Sequence, residues 1–135
     1  MTPMPAHAAA RELDGLEILV VDDDPDVLDL YERLARAAGA HVTTASDVTA
    51  ALALLDGWRP DAIVCDLHLP GIDGYGLIER VRADARLQDL PVISISASHP
   101  DLEREHSRTA GFTTHLAKPT RFVDIIKTVA SVVQR

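Results

Sequence analysis

The stretch EILVVDDDPDVLDL, residues 17–30, passes from an unbroken apolar run to three consecutive aspartates and then to a helical pattern. The run ILVV has the length and composition of a buried strand. Asp24 can cap a helix whose first position is Pro25, and Val27 and Leu30 recur at helical spacing. The stretch therefore predicts a strand, a short acidic loop and a helix in direct succession.

The same alternation repeats along the rest of the chain. Apolar runs at 16–21, 41–45, 61–65, 91–96 and 114–117 predict five strands. A segment of helical spacing follows each run, and the connections have the length that parallel crossovers need. We therefore predict an α/β fold in which a parallel sheet is doubly wound with five helices.

Composition limits the classes of function. The chain has 135 residues, of which 47% are hydrophobic and 25% charged, as in one folded domain. Its net charge of -8 argues against binding to nucleic acid or to an acidic membrane surface. Cys65 is the only cysteine, which excludes an internal disulfide and a cysteine-based zinc site. We expect a cytoplasmic domain at 15–135, a flexible tail at 1–14, and no room after Arg135 for a DNA-binding domain.

Five polar residues stand at the predicted strand ends: Asp22, Asp23, Asp66, Ser96 and Lys118. In doubly wound sheets, ligands bind beyond the carboxyl ends of the strands. Clustered carboxylates repel one another unless a cation neutralises them, and magnesium prefers a few carboxylates together with water and phosphate oxygens. The three aspartates therefore predict a magnesium site. Alone, the run DDD would fit a solvated helix cap equally well, but Asp66 on a separate strand favours the metal.

The position of Asp66 also suggests a nucleophile. A carboxylate on a rigid strand end beside magnesium can accept a phosphoryl group. Lys118 could pair with the developing charge, and Ser96 could donate a hydrogen bond to a phosphoryl oxygen. Taken singly, Lys118 fits a surface salt bridge and Ser96 an ordinary strand-end serine. Their joint placement is what favours phosphoryl transfer.

Four motifs carry a family resemblance: LVVDDDPD, AIVCDLHLPGIDGY, VISISAS and GFTTHLAKPT. In this order they resemble a CheY-like response-regulator receiver domain of two-component signalling, over residue 16 to the end. The segment AGFTTHLAKP is similar to the corresponding segment in the receiver domains of hybrid histidine kinases. The resemblance implies a flavodoxin-like sheet of strand order 2-1-3-4-5. It also implies that Asp66 takes its phosphoryl group from a phosphohistidine of a histidine kinase or a histidine phosphotransfer protein. Such a domain is not an enzyme for other substrates, because it catalyses only its own phosphorylation and dephosphorylation.

The resemblance further implies roles for individual residues. Asp23 binds magnesium directly, Asp22 binds it mainly through water, and the backbone carbonyl of His68 completes the metal site. Ser96 and Lys118 contact the phosphoryl group.

Other implied features concern the loops around the site. The Lys118-Pro119 peptide bond is expected to be cis. His68 and Ser98 lie beside the path of the attacking water, so they are candidates for setting the lifetime of the phosphoryl group.

The resemblance also predicts a switch, in which Ser96 moves inward on phosphorylation and His115 turns into the vacated space. His115 stands where the family often has Tyr or Phe. The output is expected to be contact with a downstream protein through the fourth helix, fifth strand and fifth helix, in a monomer or weak dimer. The charged residues of the fourth helix are predicted to be a solvated face: Glu103, Arg104, Glu105 and Arg108.

Two other functions stay open on the sequence. LVVDDDPD also resembles the start of a haloacid-dehalogenase-like phosphatase, with Asp22 as nucleophile and Asp24 as acid-base. Against this, Asp26 stands where Thr or Val is expected, and no acidic pair follows Lys118. The third candidate is a phosphorylation-independent interaction module, which the intact acidic set disfavours.

Overall fold

The computed structural model describes residues 12–97 and 100–133. Its strands are β1 (Glu17–Val21), β2 (His41–Ala45), β3 (Ala62–Asp66), β4 (Val92–Ser96) and β5 (Thr114–Ala117). They alternate with helices α1 (Pro25–Ala37), α2 (Val48–Leu55), α3 (Gly74–Ala83), α4 (Pro100–Ala110) and α5 (Phe122–Val132). All strands pair in parallel in the order β2-β1-β3-β4-β5, which confirms the predicted fold.

The sheet is buried on both faces, which explains the unbroken apolar runs of its strands. In β1, Ile18 and Val20 point to one face and pack with Ile125 and Val129 of α5. Leu19, next to them, points to the opposite face and joins the core formed with α2 and α3. Among the described residues, no helix combines the length and apolar character needed to cross a bilayer.

Helix α1 has the predicted cap at its start and a glycine just beyond its end. The Asp24 carboxylate accepts a hydrogen bond from the Asp26 N–H at 2.9 Å, and Pro25 opens the helix. Gly39 follows the helix with φ +97°, and a Cβ there would lie 2.7 Å from the Asp14 Cα. Only glycine fits this turn without strain, and the turn directs the chain into β2.

The predicted tail falls largely on residues 1–11, which lie outside the described residues, and the boundary at residue 15 stays a prediction. Leu13, however, is only 1% exposed, and its N–H donates to the Ala38 carbonyl at 3.0 Å. Leu13 therefore adds an apolar side chain to the core beneath α1 and α5.

Candidate functional site

The carboxyl ends of the central strands lie side by side at one edge of the sheet. Asp66, the last residue of β3, is level with Ile95 of β4, and Ser96 is level with Ala117 of β5. The Lys118 N–H then donates to the Ser96 carbonyl at 2.8 Å. The strand order thus brings together side chains that are far apart in the sequence, as predicted.

Three aspartates form an acidic cluster at this edge. Asp22, Asp23 and Asp66 each offer a carboxylate oxygen, and these oxygens lie within 4.8 Å of one another. Asp22 is 4% exposed, Asp23 is exposed and Asp66 is half-buried. Since Asp24 supplies the cap of α1, the first two aspartates of the run are not needed for that purpose.

Among the three aspartates, Asp22 has a raised pKa. Burial raises the pKa of Asp22, and repulsion from Asp66 and Asp23 adds to this rise. Two groups lower the pKa of Asp22 without cancelling the rise: the Asp24 N–H, which donates to Asp22 Oδ1 at 2.9 Å, and the positive charge of Lys118. An all-oxygen set of donors with remaining repulsion, open to solvent at Asp23, fits a hard divalent cation such as magnesium.

Both oxygens of Asp66 have partners. Oδ1 accepts from the His68 N–H at 3.0 Å, and Oδ2 accepts from the Lys118 Nζ at 2.9 Å. Burial alone would lower the pKa of Lys118, but its hydrogen bond to Asp66 and the charges of Asp66 and Asp22 outweigh burial and raise it. Lys118 is therefore an ammonium ion at the site, and its bond to Pro119 is cis, as predicted.

Ser96 and Glu103 form a contact that the sequence analysis missed. Ser96 is fully buried, and its Oγ donates to Glu103 Oε1 at 3.2 Å. The Glu103 side chain is only 11% exposed, so its assignment to a solvated face was wrong. Glu103 lies one helical turn before the buried Ser107, which places both on the inner side of α4. The four-residue spacing from Ser107 could have predicted the burial of Glu103. The other three charged residues assigned to the solvated face are exposed, as predicted.

His68 bridges the acidic site and this carboxylate. Its backbone N–H donates to Asp66, and its ring Nε2 lies 3.0 Å from Glu103 Oε1, with 55% of the side chain exposed. The metal-binding role of the His68 carbonyl stays a prediction. Ser98, the other residue predicted to affect phosphoryl lifetime, lies outside the described residues.

His115 is already inside the protein. It is 3% exposed, and its Nδ1 lies 2.7 Å from the Oγ of Ser94, which in turn lies 2.6 Å from the Oγ of Ser107. Burial lowers the pKa of His115, so the ring is neutral. Its Nε2 is buried without a hydrogen-bond partner among the described residues. The turn of His115 into space left by Ser96 stays a prediction. The contact of Ser94 with the ring, and that of Ser107 with Ser94, were missed.

Comparisons with known proteins show which family the chain resembles. The family model described as "Response regulator receiver domain" matches residues 18–130. A 14.6 kDa protein of Leptolyngbya boryana is 38% identical over 119 residues, which cover 88% of this chain and 91% of that protein. The transcriptional regulatory protein PrrA of Mycobacterium leprae is 37% identical over 118 residues. That match covers 87% of this chain and 50% of PrrA, so the chain spans about half the length of that regulator.

A solved structure is also similar at the level of the whole fold. It is the receiver domain of the sensor histidine kinase PA1611 from Pseudomonas aeruginosa, with 31% identity and a TM-score of 0.80. The match covers 88% of this chain and 98% of that one. That structure has a magnesium ion coordinated in its active site cleft.

Proposed function

Because this chain belongs to the family of response regulator receiver domains, we propose that Asp66 accepts a phosphoryl group from a phosphohistidine of a histidine kinase or a histidine phosphotransfer protein. The observation that carries the proposal is the Asp66 carboxylate itself. It ends a buried strand, pairs with Lys118 Nζ at 2.9 Å, and has an oxygen within 4.8 Å of Asp22 and Asp23 oxygens. A carboxylate that could act as the nucleophile, an ammonium cation and carboxylates that could hold a metal ion therefore lie at one edge of the sheet, and this supports the proposal.

In this proposal, a carboxylate oxygen of Asp66 forms a bond to phosphorus while the bond between phosphorus and the histidine nitrogen breaks. The imidazole leaves with the electron pair of that bond. The His68 N–H holds Oδ1 and so limits rotation of the carboxylate. The Lys118 ammonium would stabilise the negative charge that spreads over the transferred oxygens.

Ser96 would complete the contacts to the phosphoryl group. Ser96 ends the neighbouring strand, and its backbone carbonyl accepts a hydrogen bond from the Lys118 N–H at 2.8 Å. A charge-assisted hydrogen bond from the Ser96 hydroxyl to a phosphoryl oxygen would be stronger than one between neutral groups.

Asp22, Asp23 and Asp66 are the side chains that would hold magnesium, with the His68 carbonyl as an additional ligand. When bound, magnesium would neutralise the charge of the phosphoryl oxygens. The acidic cluster, without such a cation, would repel an incoming phosphoryl group.

A downstream protein would be recognised through α4, β5 and α5. Two large apolar side chains on these helices support this surface: Leu102 of α4 is 74% exposed and Val123 of α5 is 43% exposed. The net charge of -8 supports a protein partner rather than nucleic acid.

The contacts of Asp24 and Asp66 and the burial of Asp22 disfavour the phosphatase alternative. The Asp24 carboxylate, its proposed acid-base group, caps α1 by accepting from the Asp26 N–H. Asp22, its proposed nucleophile, is only 4% exposed. Lys118 donates its hydrogen bond to Asp66 rather than to Asp22.

The proposal is tested with acetyl phosphate as donor in the presence of magnesium. Intact-mass analysis should show one added phosphoryl group, which hydroxylamine removes because it is an acyl phosphate. Asp66→Asn should not gain the group, whereas Asp29→Asn, an exposed carboxylate on α1, should behave like the wild type. Phosphorylation of Asp66→Asn at the wild-type level would refute the proposal.

A further inference from the structure

Glu103 contacts three parts of the fold through one carboxylate. Its Oε1 accepts from the Ser96 hydroxyl at 3.2 Å and lies 3.0 Å from the His68 Nε2, and its Oε2 accepts from the Tyr75 hydroxyl. These partners belong to the end of β4, the loop after β3 and the first turn of α3. Helix α4 is therefore fastened to the edge of the candidate site by a side chain that no sequence motif identified.

Tyr75 fixes the position of this carboxylate. Its ring stacks on His106 of α4 with a centroid distance of 4.6 Å and meets the edge of Phe112 at 6.0 Å. Burial raises the pKa of the Tyr75 hydroxyl, and the hydrogen bond to Glu103 and the negative charge of Glu103 raise it further. The hydroxyl therefore stays protonated and donates to Glu103.

The Ser96 hydroxyl cannot donate a hydrogen bond to Glu103 and to a phosphoryl group at the same time. A serine hydroxyl has one hydrogen to donate. Here the donation is directed to Glu103 Oε1, whereas the proposed function needs it on a phosphoryl oxygen. A phosphoryl group on Asp66 also carries a charge of about -1.5 to -2, which would repel the Glu103 carboxylate.

Glu103 is itself charged in this arrangement. Both of its oxygens act as acceptors, Oε1 from the Ser96 hydroxyl and Oε2 from the Tyr75 hydroxyl, which an ionised carboxylate does best. The competitor for the Ser96 hydroxyl is thus a carboxylate, which is a stronger acceptor than a neutral group.

We propose that Glu103 is a positioning residue that holds the Ser96 hydroxyl in the unphosphorylated state and loses it to the phosphoryl group on Asp66. This inference rests on the proposed function and adds the residue that couples the site to α4. When Ser96 turns to the phosphoryl group, α4 loses one of its contacts with the sheet edge. The α4 surface that carries Leu102 then becomes the part of the molecule that responds.

The first test measures the affinity for beryllofluoride, a phosphoryl mimic, in the presence of magnesium. Glu103→Ala removes the competitor, so it should bind about tenfold more tightly, which corresponds to about 1.4 kcal/mol. Glu105→Ala is the matched control, because it removes the same charge from a 77% exposed position of the same helix and should leave the affinity unchanged.

Three further variants separate competition for the hydroxyl from charge repulsion. Glu103→Asp keeps the charge but shortens the side chain, so the competition predicts a gain in affinity, whereas repulsion alone predicts none. In a Ser96→Ala background, Glu103→Ala should lose most of its gain, since the hydroxyl for which the two groups compete is gone and only the charge repulsion remains. Glu103→Gln keeps the size of the side chain and should give a smaller gain of the same sign.

The second test needs neither magnesium nor beryllofluoride. Residue-specific NMR of the tyrosine rings at neutral pH should show that the Tyr75 ring resonances shift in Glu103→Gln and stay unchanged in the Glu105→Ala control. This reports the contact of Glu103 in the unphosphorylated protein.

The outcomes distinguish this inference from the proposed function. If the wild type neither binds beryllofluoride nor is phosphorylated on Asp66, the proposed function fails. If the wild type binds the mimic but Glu103→Ala shows no gain, or shows the same gain in the Ser96→Ala background, the role of Glu103 is overturned while the proposed function stands. Unchanged Tyr75 ring resonances in Glu103→Gln would also overturn it.

Discussion

Replacing Asp22 with Asn is expected to stabilise the metal-free protein at neutral pH. Asp22 is 4% exposed, and its carboxylate shares the acidic cluster with Asp23 and Asp66. The Asn amide has nearly the same shape, and its oxygen can still accept the Asp24 N–H that reaches Asp22 Oδ1 at 2.9 Å. The substitution therefore removes a charge while keeping the packing and this hydrogen bond.

The size of the effect follows from the separation of the carboxylates. The oxygens of the cluster lie within 4.8 Å of one another. Two unit charges at that distance repel by about 3.5 kcal/mol at an effective dielectric constant of about 20. Attraction between Asp22 and Lys118 opposes this repulsion. Because water also screens the exposed Asp23, we expect a net gain of about 1–2 kcal/mol in the free energy of unfolding.

The pH dependence gives the sign of the effect. In the folded protein the pKa of Asp22 is raised above its ordinary value of 3.8. Ionising Asp22 is therefore harder in the folded state than in the unfolded state, so stability is lost as the pH rises through this range. Below 3.8 the group is protonated in both states, and the advantage of Asn should disappear.

The assay is urea unfolding of both proteins with a chelator present, at neutral pH and at a pH below 3.8. Asp29→Asn, which changes an exposed aspartate paired with Arg33, is the control and should shift stability only slightly. Added magnesium should stabilise the wild type more than Asp22→Asn by ligand linkage. An Asp22→Asn protein that is no more stable than the wild type at neutral pH would refute the reasoning.

Three other substitutions address the framework of the site. The Arg82 guanidinium donates hydrogen bonds to the carbonyls of Leu87, Gln88, Leu90 and Gly111. Because a lysine ammonium cannot reproduce this set of donors, Arg82→Lys should lower the free energy of unfolding by about 2–4 kcal/mol. The control Arg80→Lys, at an exposed position, should leave it unchanged. The pKa of His115 lies below its ordinary value of 6.5, so the unfolded chain takes up the proton more readily than the folded protein. The free energy of unfolding of the wild type should therefore fall as the pH drops through 6.5. In His115→Phe, unfolding measured across that range should no longer show this dependence on pH. A Cβ at Gly74 would lie 2.9 Å from the Leu67 Cα and 3.0 Å from the Asp66 carbonyl oxygen, so Gly74→Ala should cost about 1–3 kcal/mol and shift the Asp66 amide resonance in NMR spectra.

The acidic part of the site could be predicted because it depends on local patterns. A buried apolar run followed by a polar residue marks a strand end, and βα alternation puts the ends of parallel strands at one edge. Asp22, Asp66, Ser96 and Lys118 each close or follow such a run, so their convergence needed only the order of the strands.

The polar contacts behind the site depended on packing that the sequence does not show. Glu103 is surrounded by other charged residues in the sequence, and its burial follows from how α4 is rotated against β4 and β5. Likewise, the contact of Ser94 with His115 needs the register of β4 against β5. Leu13 could not be separated from the tail, because its burial depends on contact with residues near the end of α1.

The central claim is that Asp66, rather than another carboxylate of the cluster, takes the phosphoryl group. Borohydride reduces an aspartyl phosphate to homoserine, so peptide mapping of the phosphorylated protein after reduction locates the modified residue directly. We predict homoserine at position 66 and at neither Asp22 nor Asp23. Homoserine at Asp22, the nucleophile of the phosphatase alternative, with position 66 unchanged, would contradict the account.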